Sequence, residues 1–403
     1  MDMKQKKLML LGGLRYLLPI IDVAHRLGIH VITVDYLPDN IAHKYSDEYH
    51  NVSILDKEAV LELAKELEID GIMSFAVDPG VVTAAYVAEK MGLPFQGSYH
   101  SVSILQDKSK FRKFLADNNF NVPIAKGYSR NDNPWEDIDL FKWPVIVKPV
   151  DSAGSKGVSK VETPEELQHA IDYALSESHS GNFIIEEFLE KEGESSDTDS
   201  FTVNGELVFC SFSDQLFDKE AVNPYTPAAY CWPSTIPLQI QDELKSEIQR
   251  LMLLLKMDTG IYNIETRLCK NGKPYIMEVS PRGGGNRLAE MVDIAADANL
   301  IENSVRAAVG LPLLPMEMPK YKGNVAEIIL HADKDGIFEG LVISEEVKPF
   351  VIQTDLWVDK GSKVCGFSGA NNAIGTLVLR FPTQEILEKK LASISDWCKV
   401  IVR

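Results

Sequence analysis

The chain has 403 residues, 45% hydrophobic and 25% charged, which is apolar material for two or three domain cores and an ordinary polar surface. Its formal net charge of −18 argues against nucleic acid and anionic membranes as partners, so a polyanionic ligand would need locally clustered lysines and arginines. The five cysteines are scattered, odd in number and without a CxxC, which argues against a disulfide framework or metal cluster and points to a reducing cytoplasm.

The opening MDMKQKKLMLLGGLRYLLPII superficially resembles a signal peptide, but Gly12, Gly13 and Arg15 interrupt its apolar run and no small-residue cleavage site follows. No stretch is long and apolar enough to span a bilayer. KLMLL (7–11) reads instead as a first strand, Gly12-Gly13 as a turn, and Leu17, Ile20, Ile21, Ala24 and Leu27 as a helix. HVITVD (30–35) is a second strand and GIMSF (71–75) a third. Val60, Leu63, Ala64 and Leu67 mark a helix between them, Val81, Ala84, Ala85 and Ala88 another after them, and GLPFQG (92–97) a short connection. Such alternation implies a parallel sheet covered on both faces, with ligands beyond the carboxyl ends of its strands. Gly12, Arg15, Asp35 and Asp78 fall at such ends, where Arg15 and Asp78 read equally as loop residues or substrate contacts. Asp35 follows a second strand as ribose-binding acids do, yet LLGGLRYL lacks GxGxxG, so a dinucleotide is not indicated.

From about residue 108 the pattern changes. Phe111, Phe114 and Leu115 mark a helix, WPVIVKPV (143–150) a strand, and DSAGSKGV (151–158) a glycine-rich loop that either cradles phosphate or simply turns. A helix follows from Pro164, then the strand NFIIEEFLE (182–190), strands near 199–213, a Pro-rich connection (223–237) and a helix over 242–256. A final helix covers about 297–309, prolines 312, 315 and 319 mark a linker, and 323–403 is β-rich with a helix near 384–395. Trp232-Pro233 reads as a packed loop aromatic or a cover for a pocket. The histidines show no HExxH spacing, so zinc is not indicated.

GIYNIETRLCKNGKPYIMEVSPRGGG (260–285) carries the chemistry. Asn271-Gly272 predicts a type I′ hairpin. Counting outward puts Lys270 opposite Lys273, Leu268 opposite Tyr275, Glu265 opposite Glu278 and Asn263 opposite Ser280. The two acids would share a face with Cβ atoms roughly 5 Å apart, which repels unless a cation lies between them. Hard oxygen ligands suit Mg²⁺ together with substrate phosphates. The bland alternative is two strand acids bridged by a base such as Arg267. Arg282 and Gly283–Gly285 follow at once, and a metal, an arginine and a flexible loop suggest phosphoryl transfer.

Taken in order, Lys108 in DKSKFR, Lys148 in VIVKP, SAGSKG, IIEEFLE, Glu265 and MEVSPR resemble the ATP-grasp superfamily over roughly residues 6–310, nearest to its carboxylate–amine ligases and to purine-synthesis and carbamoyl-phosphate-synthase-like members. The resemblance implies an α/β (α+β) ATP-grasp fold. A pre-ATP-grasp, Rossmann-like parallel-sheet domain would span 1–107, an ATP-grasp domain 108–320 (small lobe about 108–190, large lobe about 191–320), and a small β-rich domain 321–403. It assigns Lys108 and Lys148 to the nucleotide phosphates. Ser152–Gly157, with Ser152, Gly154, Ser155 and Gly157, becomes a loop closing over them. Glu186, Glu187, Phe188 and Leu189 become the adenine-binding hinge, through the Glu186 carbonyl and Leu189 N–H. Glu194 is assigned to the ribose, with Glu192 as its rival. Glu265 and Glu278 become Mg²⁺ ligands, with Mn²⁺ as an alternative ion. Ser280 stands where many members have asparagine, leaving open whether one or two metals bind. Arg282 would stabilise an acyl phosphate, and Gly283, Gly284 and Asn286 would line an acceptor pocket.

The implied activity is ATP-dependent amide or peptide bond formation from small-molecule carboxylate and amine substrates, one of them amino-acid-like, in a cytoplasmic protein, commonly a homodimer among its likenesses. Carboxylation or phosphorylation of another acceptor on the same fold, and a non-catalytic ATP-binding role, stand as alternatives.

Overall fold

The structure is a computed structural model describing residues 4–152 and 156–403. Four parallel strands open it, β1 (Lys7–Leu11), β2 (His30–Val34), β3 (Glu48–His50) and β4 (Gly71–Ser74), ordered β3-β2-β1-β4. The unbroken apolar run of β1 is explained by burial on both faces: Leu8 and Leu10 enter one core, Met9 and Leu11 another. Helices α1 (Leu18–Arg26), α2 (Lys57–Glu66) and α3 (Asp78–Met91) cover the sheet. Asp35 is occupied locally, accepting from Asn40 Nδ2 at 2.8 Å and Leu37 N at 3.3 Å.

The stretch around 98–107 holds a further helix, and the helix expected around Phe111 follows it at once. Ser98 caps α4 (Tyr99–Gln106), and Asp107 caps α5 (Lys108–Asp117) by accepting from Ser109 N and Lys110 N, each at 3.0 Å. That cap puts Lys108 in the first turn of α5. The next sheet orders β5 (Ala125–Ser129), β8 (Asn182–Glu187), β6 (Val145–Pro149) and β7 (Ser159–Val161), with α6 (Leu167–Ser176) packed on it.

Strands β9 (Ser196–Val203) and β10 (Glu206–Cys210) join β13 (Gly260–Leu268) and β14 (Pro274–Ser280) in the order β10-β9-β13-β14. Tyr262, Ile264, Ile276 and Val279 turn one face of this sheet toward α4, α5 and α7 (Leu238–Leu254). The strand period of two then sends Asp197, Asp199, Asn263, Glu265, Glu278 and Ser280 to the opposite face.

The expected Pro-rich connection contains β12 (Pro227–Trp232), whose run PAAYCW pairs with β11 (Asp214–Phe217) and with β15 (Asn324–Leu330). With β17 (Val351–Leu356) and β19 (Gly375–Phe381) they form a sheet ordered β11-β12-β15-β19-β17. Trp232 is packed in the core rather than over a pocket, with Nε1 3.3 Å from Thr198 Oγ1. The helix expected over 297–309 is α9 (Leu300–Ala308); a further helix, α8 (Leu288–Ala296), precedes it, and Asp297 and Asn299 with left-handed φ of 52° and 55° separate the two. Strands β16 (Gly336–Ile343), β18 (Lys363–Val364) and β20 (Cys398–Val402) make a last small sheet, with α10 (Gln384–Leu391) and α11 (Ile394–Trp397) nearby. Among the described residues no helix is long and apolar enough to cross a membrane.

Candidate active site

Glu265 and Glu278 are directly paired across β13 and β14, and Asn263 is opposite Ser280, as counted from the sequence. The turn between them differs from the expected type I′. Of Asn271 and Gly272, only Gly272 has positive φ, at 75°, and Gly272 N donates to Cys269 O at 2.8 Å while Cys269 N donates to Lys273 O at 3.1 Å. This turn, with one left-handed glycine at its end, shifts the register by one residue, so Leu268 faces Pro274 and Arg267 faces Tyr275. A second irregularity between Glu265 and Thr266 restores the count. It leaves Met277 unpaired in the ladder, and Arg112 Nη1 takes the Met277 carbonyl at 2.7 Å.

Each acid has a cation beside it: Arg267 lies 3.3 Å from Glu265, and Lys108 Nζ 3.6 Å from Glu278. Asp197 on β9 sits directly opposite Glu265 from the other side, so three carboxylates form a row across three strands. Burial, and then the charge of Glu265, push Asp197 up to about 7. Asp199 is also raised to about 7, by burial, although it accepts from Gly284 N at 2.9 and 3.1 Å. Asn263 donates to both aspartates, at 2.8 and 3.3 Å. Among the described residues no three acidic, histidine or cysteine side chains gather closely enough to hold a metal alone. Two facing carboxylates completed by phosphate oxygens are the donor set that Mg²⁺ accepts.

Lys148 on β6 and Lys108 on α5 come to the same region. Lys108 Nζ donates to Ser152 O at 3.0 Å, and its backbone N to Val150 O at 3.1 Å. Lys148 is ion-paired with Glu186, whose other oxygen takes Arg112 Nε at 2.9 Å. The Glu186 carboxylate is buried, which opposes its charge, but Arg112 and Lys148 outweigh this and hold it down at about 2. Burial also pushes Lys148 down, against the pull of Glu186. Glu187 clips β8 to the preceding chain by accepting from Ile124 N at 3.1 Å. Phe188 carries Lys160 Nζ 4.5 Å from its ring centroid, and Leu189 is half-buried beside it. Glu194 is half-buried and paired with Lys191, whereas Glu192 is exposed. Gly157 needs its φ of 71°, and Gly154 and Ser155 lie outside the described residues.

Arg282 is 7% exposed and makes a two-pronged ion pair with Asp78 at the first residue of α3, Nε at 2.9 Å and Nη2 at 2.6 Å. Burial opposes the Asp78 charge, but Arg282 wins and lowers its pKa. The Ser280 hydroxyl donates to Asp78 Oδ1 at 2.7 Å and accepts from Gln106 Nε2 at 2.8 Å, leaving one lone pair free. Asp78 thus joins two strand-end residues to the parallel sheet. Gly283 and Gly284 are glycines for space: a Cβ on the first would enter the Phe75 ring, and one on the second would sit 2.6 Å from Leu288 Cδ1. Asn286 lies between two tyrosines, 3.3 Å from the hydroxyl of Tyr16 and 3.3 Å from that of Tyr230. Arg15 is farther out, its guanidinium 5.6 Å from the Trp357 ring centroid.

Sequence reading missed Arg112, Asp197, Asp199 and Tyr230. Arg112 carried a usable signal, one helical turn after Lys108. The alternation of SDTDSF in β9 offered another, since acids two apart on a strand share a face.

A family profile described as ATP-grasp domain matches residues 141–290, and one described as ATP-grasp N-terminal domain matches 21–95. The chain is 26% identical over 336 residues to a formate-dependent phosphoribosylglycinamide formyltransferase of Synechococcus sp. (strain WH7803), an alignment covering 82% of each chain. The fold is similar to that of L-amino acid ligase from Bacillus licheniformis, with TM-score 0.81 and 21% identity over 100% of both chains. It also resembles phosphoribosylglycinamide synthetase from Anaerococcus prevotii, with TM-score 0.76 and 22% identity over 99% of this chain and 100% of that one. At these identities the two structures speak to the fold alone.

Proposed function

We propose that this chain, which belongs to the ATP-grasp superfamily, joins a small-molecule carboxylate to an amine with conversion of ATP to ADP and phosphate. The observation that carries this reading is the junction of Arg282, fixed by Asp78, with the facing pair Glu265–Glu278 and with Lys108, which reaches from Ser152 toward Glu278.

In this reading Lys108 and Lys148 meet the nucleotide phosphates as point charges. Glu186 and Arg112 hold Lys148 in place. The backbone of Glu186–Leu189 meets the adenine edge, and Glu194 the ribose. Glu265 and Glu278 would hold Mg²⁺, which when bound neutralises phosphate charge. Ser280 chiefly positions Asp78, with one lone pair left for a metal or its water. A substrate carboxylate oxygen attacks the γ-phosphorus, the bond to the β–γ bridging oxygen breaks, and ADP leaves. Arg282 would stabilise the resulting acyl phosphate and the tetrahedral species formed when a neutral amine attacks the acyl carbon. Phosphate then departs with the carboxylate oxygen, and the amine loses a proton. No protein nucleophile is required; catalysis is positioning and charge neutralisation.

Incubation with Mg-ATP and a mixed panel of amino acids, following ADP, AMP and phosphate and then product mass, tests this reading. ADP and phosphate released only with a carboxylate–amine pair, and lost in Glu278→Gln, is the expected result. Bicarbonate-dependent release without an amine would indicate carboxylation, and AMP with pyrophosphate would contradict the acyl-phosphate route.

A further inference from the structure

The acids around the site differ in what holds them. Glu265 has Arg267 beside it, Glu278 has Lys108, and Asp78 has Arg282. Asp199 has no such cation among the described residues, but it is 0% exposed and closed off by Asn263 and the Gly284 N–H. Asp197 is half-buried and, among the described residues, is held by neutral donors alone. Asn263 Nδ2 donates to Oδ1 at 2.8 Å, and Gln215 Nε2 and the Tyr230 hydroxyl donate to Oδ2 at 3.1 and 3.2 Å. A carboxylate has about four lone-pair sites, so Oδ1 keeps one. Asp197 is also directly opposite Glu265, and two like charges so placed are destabilising unless a cation joins them.

The same donors tie Asp197 to the groups assigned to the chemistry. Asn263 donates through Nδ2 to Asp197 Oδ1 and accepts through Oδ1 from Arg282 Nη1 at 3.3 Å. One side-chain amide therefore separates the carboxylate from the guanidinium. The Tyr230 hydroxyl, which donates to Asp197, accepts from Asn286 Nδ2 at 3.3 Å, in the turn that follows Arg282. Tyr230 is itself packed in the core, so the bond from its hydroxyl fixes the carboxylate in one orientation.

We infer that Asp197 is the recognition residue for the amine substrate: its carboxylate takes an N–H of the incoming nitrogen and sets it beside the acyl phosphate at Arg282. This rests on the ligase reading for the place of that acyl phosphate, and it names the acceptor as a primary amine. Such an amine is a cation when free at neutral pH and is drawn to an acid that has no cation of its own. Its N–H supplies the donor that the free lone pair of Oδ1 lacks. Bicarbonate or another anionic acceptor would instead meet Asp197 and Glu265 as like charges. What the contact contributes is placement, bringing the nitrogen to within about 3–3.5 Å of the acyl carbon.

The experiment follows ADP, amide and hydroxamate from the full chain with Mg-ATP and the amino-acid panel, with and without concentrated hydroxylamine, which captures an acyl phosphate without a seat in the protein. Wild type should form amide with the productive amine and hydroxamate with hydroxylamine. Asp197→Asn should raise the KM for the amine about 30-fold or more and lower amide formation about 10-fold more than hydroxamate formation, while the KM for ATP moves less than about 3-fold. Amide and hydroxamate falling together, as a structural or metal-binding role would require, overturns the inference, and so does an unchanged KM for the amine. If Asp197→Asn does not fold, Tyr230→Phe removes one of the bonds that orient Asp197 and should raise the KM for the amine about 5-fold with hydroxamate formation less affected; equal loss of both products again overturns the inference. Hydroxamate absent from wild type with every carboxylate refutes the ligase reading, and the role of Asp197 falls with it.

Discussion

Replacing Glu186 by glutamine keeps its shape and removes one charge from between Arg112 and Lys148. The carboxyl moves from 4.5 to about 2 on folding, which corresponds to about 3 kcal/mol of stability. Because the folded pKa is depressed, that stability is present above about pH 4.5 and lost as the pH falls toward 2. It is not the net gain of the pair, since burial pushes Lys148 down. The variant, however, removes only the carboxylate and leaves two buried cations, so the expected loss near neutral pH is about 3–5 kcal/mol. Urea unfolding followed between pH 7 and pH 3 should show the gap between variant and wild type closing as the pH falls. Mg-ATP should stabilise the variant more than the wild type, because phosphates would take the place of the lost charge beside Lys148. A variant within about 0.5 kcal/mol of wild type at pH 7, or a gap independent of pH, would refute the reasoning.

Asp78→Asn should lower kcat about 100-fold or more while leaving the KM for ATP nearly unchanged, because it loosens Arg282 and not the lysines; steady-state kinetics check this. Asp199, raised to about 7 by burial, has the opposite linkage sign to Glu186: its contribution is full below about pH 3.8 and lost as the pH rises through 7. Asp199→Asn should therefore flatten the fall in stability between pH 4 and pH 8 in denaturant titrations. Gly283→Ala should destabilise by about 1–3 kcal/mol or displace the turn, since its methyl would enter the Phe75 ring, whereas Gly285→Ala meets nothing within 4 Å and should melt like wild type.

Local chemistry was legible in the sequence wherever it depended on neighbours in the chain. The apolar run Lys7–Leu11, the helix starts and the acid pair Glu265–Glu278 are of this kind. The acid pair was predicted correctly through a turn of the wrong type, because the one-residue shift at Gly272 is reversed at Met277. Such compensation is invisible to counting, since a bulge depends on what the unpaired residue can bond, here Arg112. Strand β12 was hidden because prolines at 224, 227 and 233 frame an apolar run that only the distant β15 completes. The depth of the half-buried Asp197 and of the buried Asp199 and Glu327 was hidden for a related reason. An acid in a strand reads as solvated until tertiary packing covers it, and the covering groups lie tens of residues away.

The central claim is that a substrate carboxylate is activated as an acyl phosphate beside Arg282. The most direct test is to supply the productive carboxylate labelled with ¹⁸O, together with Mg-ATP and its amine, and analyse the inorganic phosphate by mass spectrometry. Transfer of one ¹⁸O atom per turnover to phosphate is the predicted result. Unlabelled phosphate accompanying a condensed product would contradict the account.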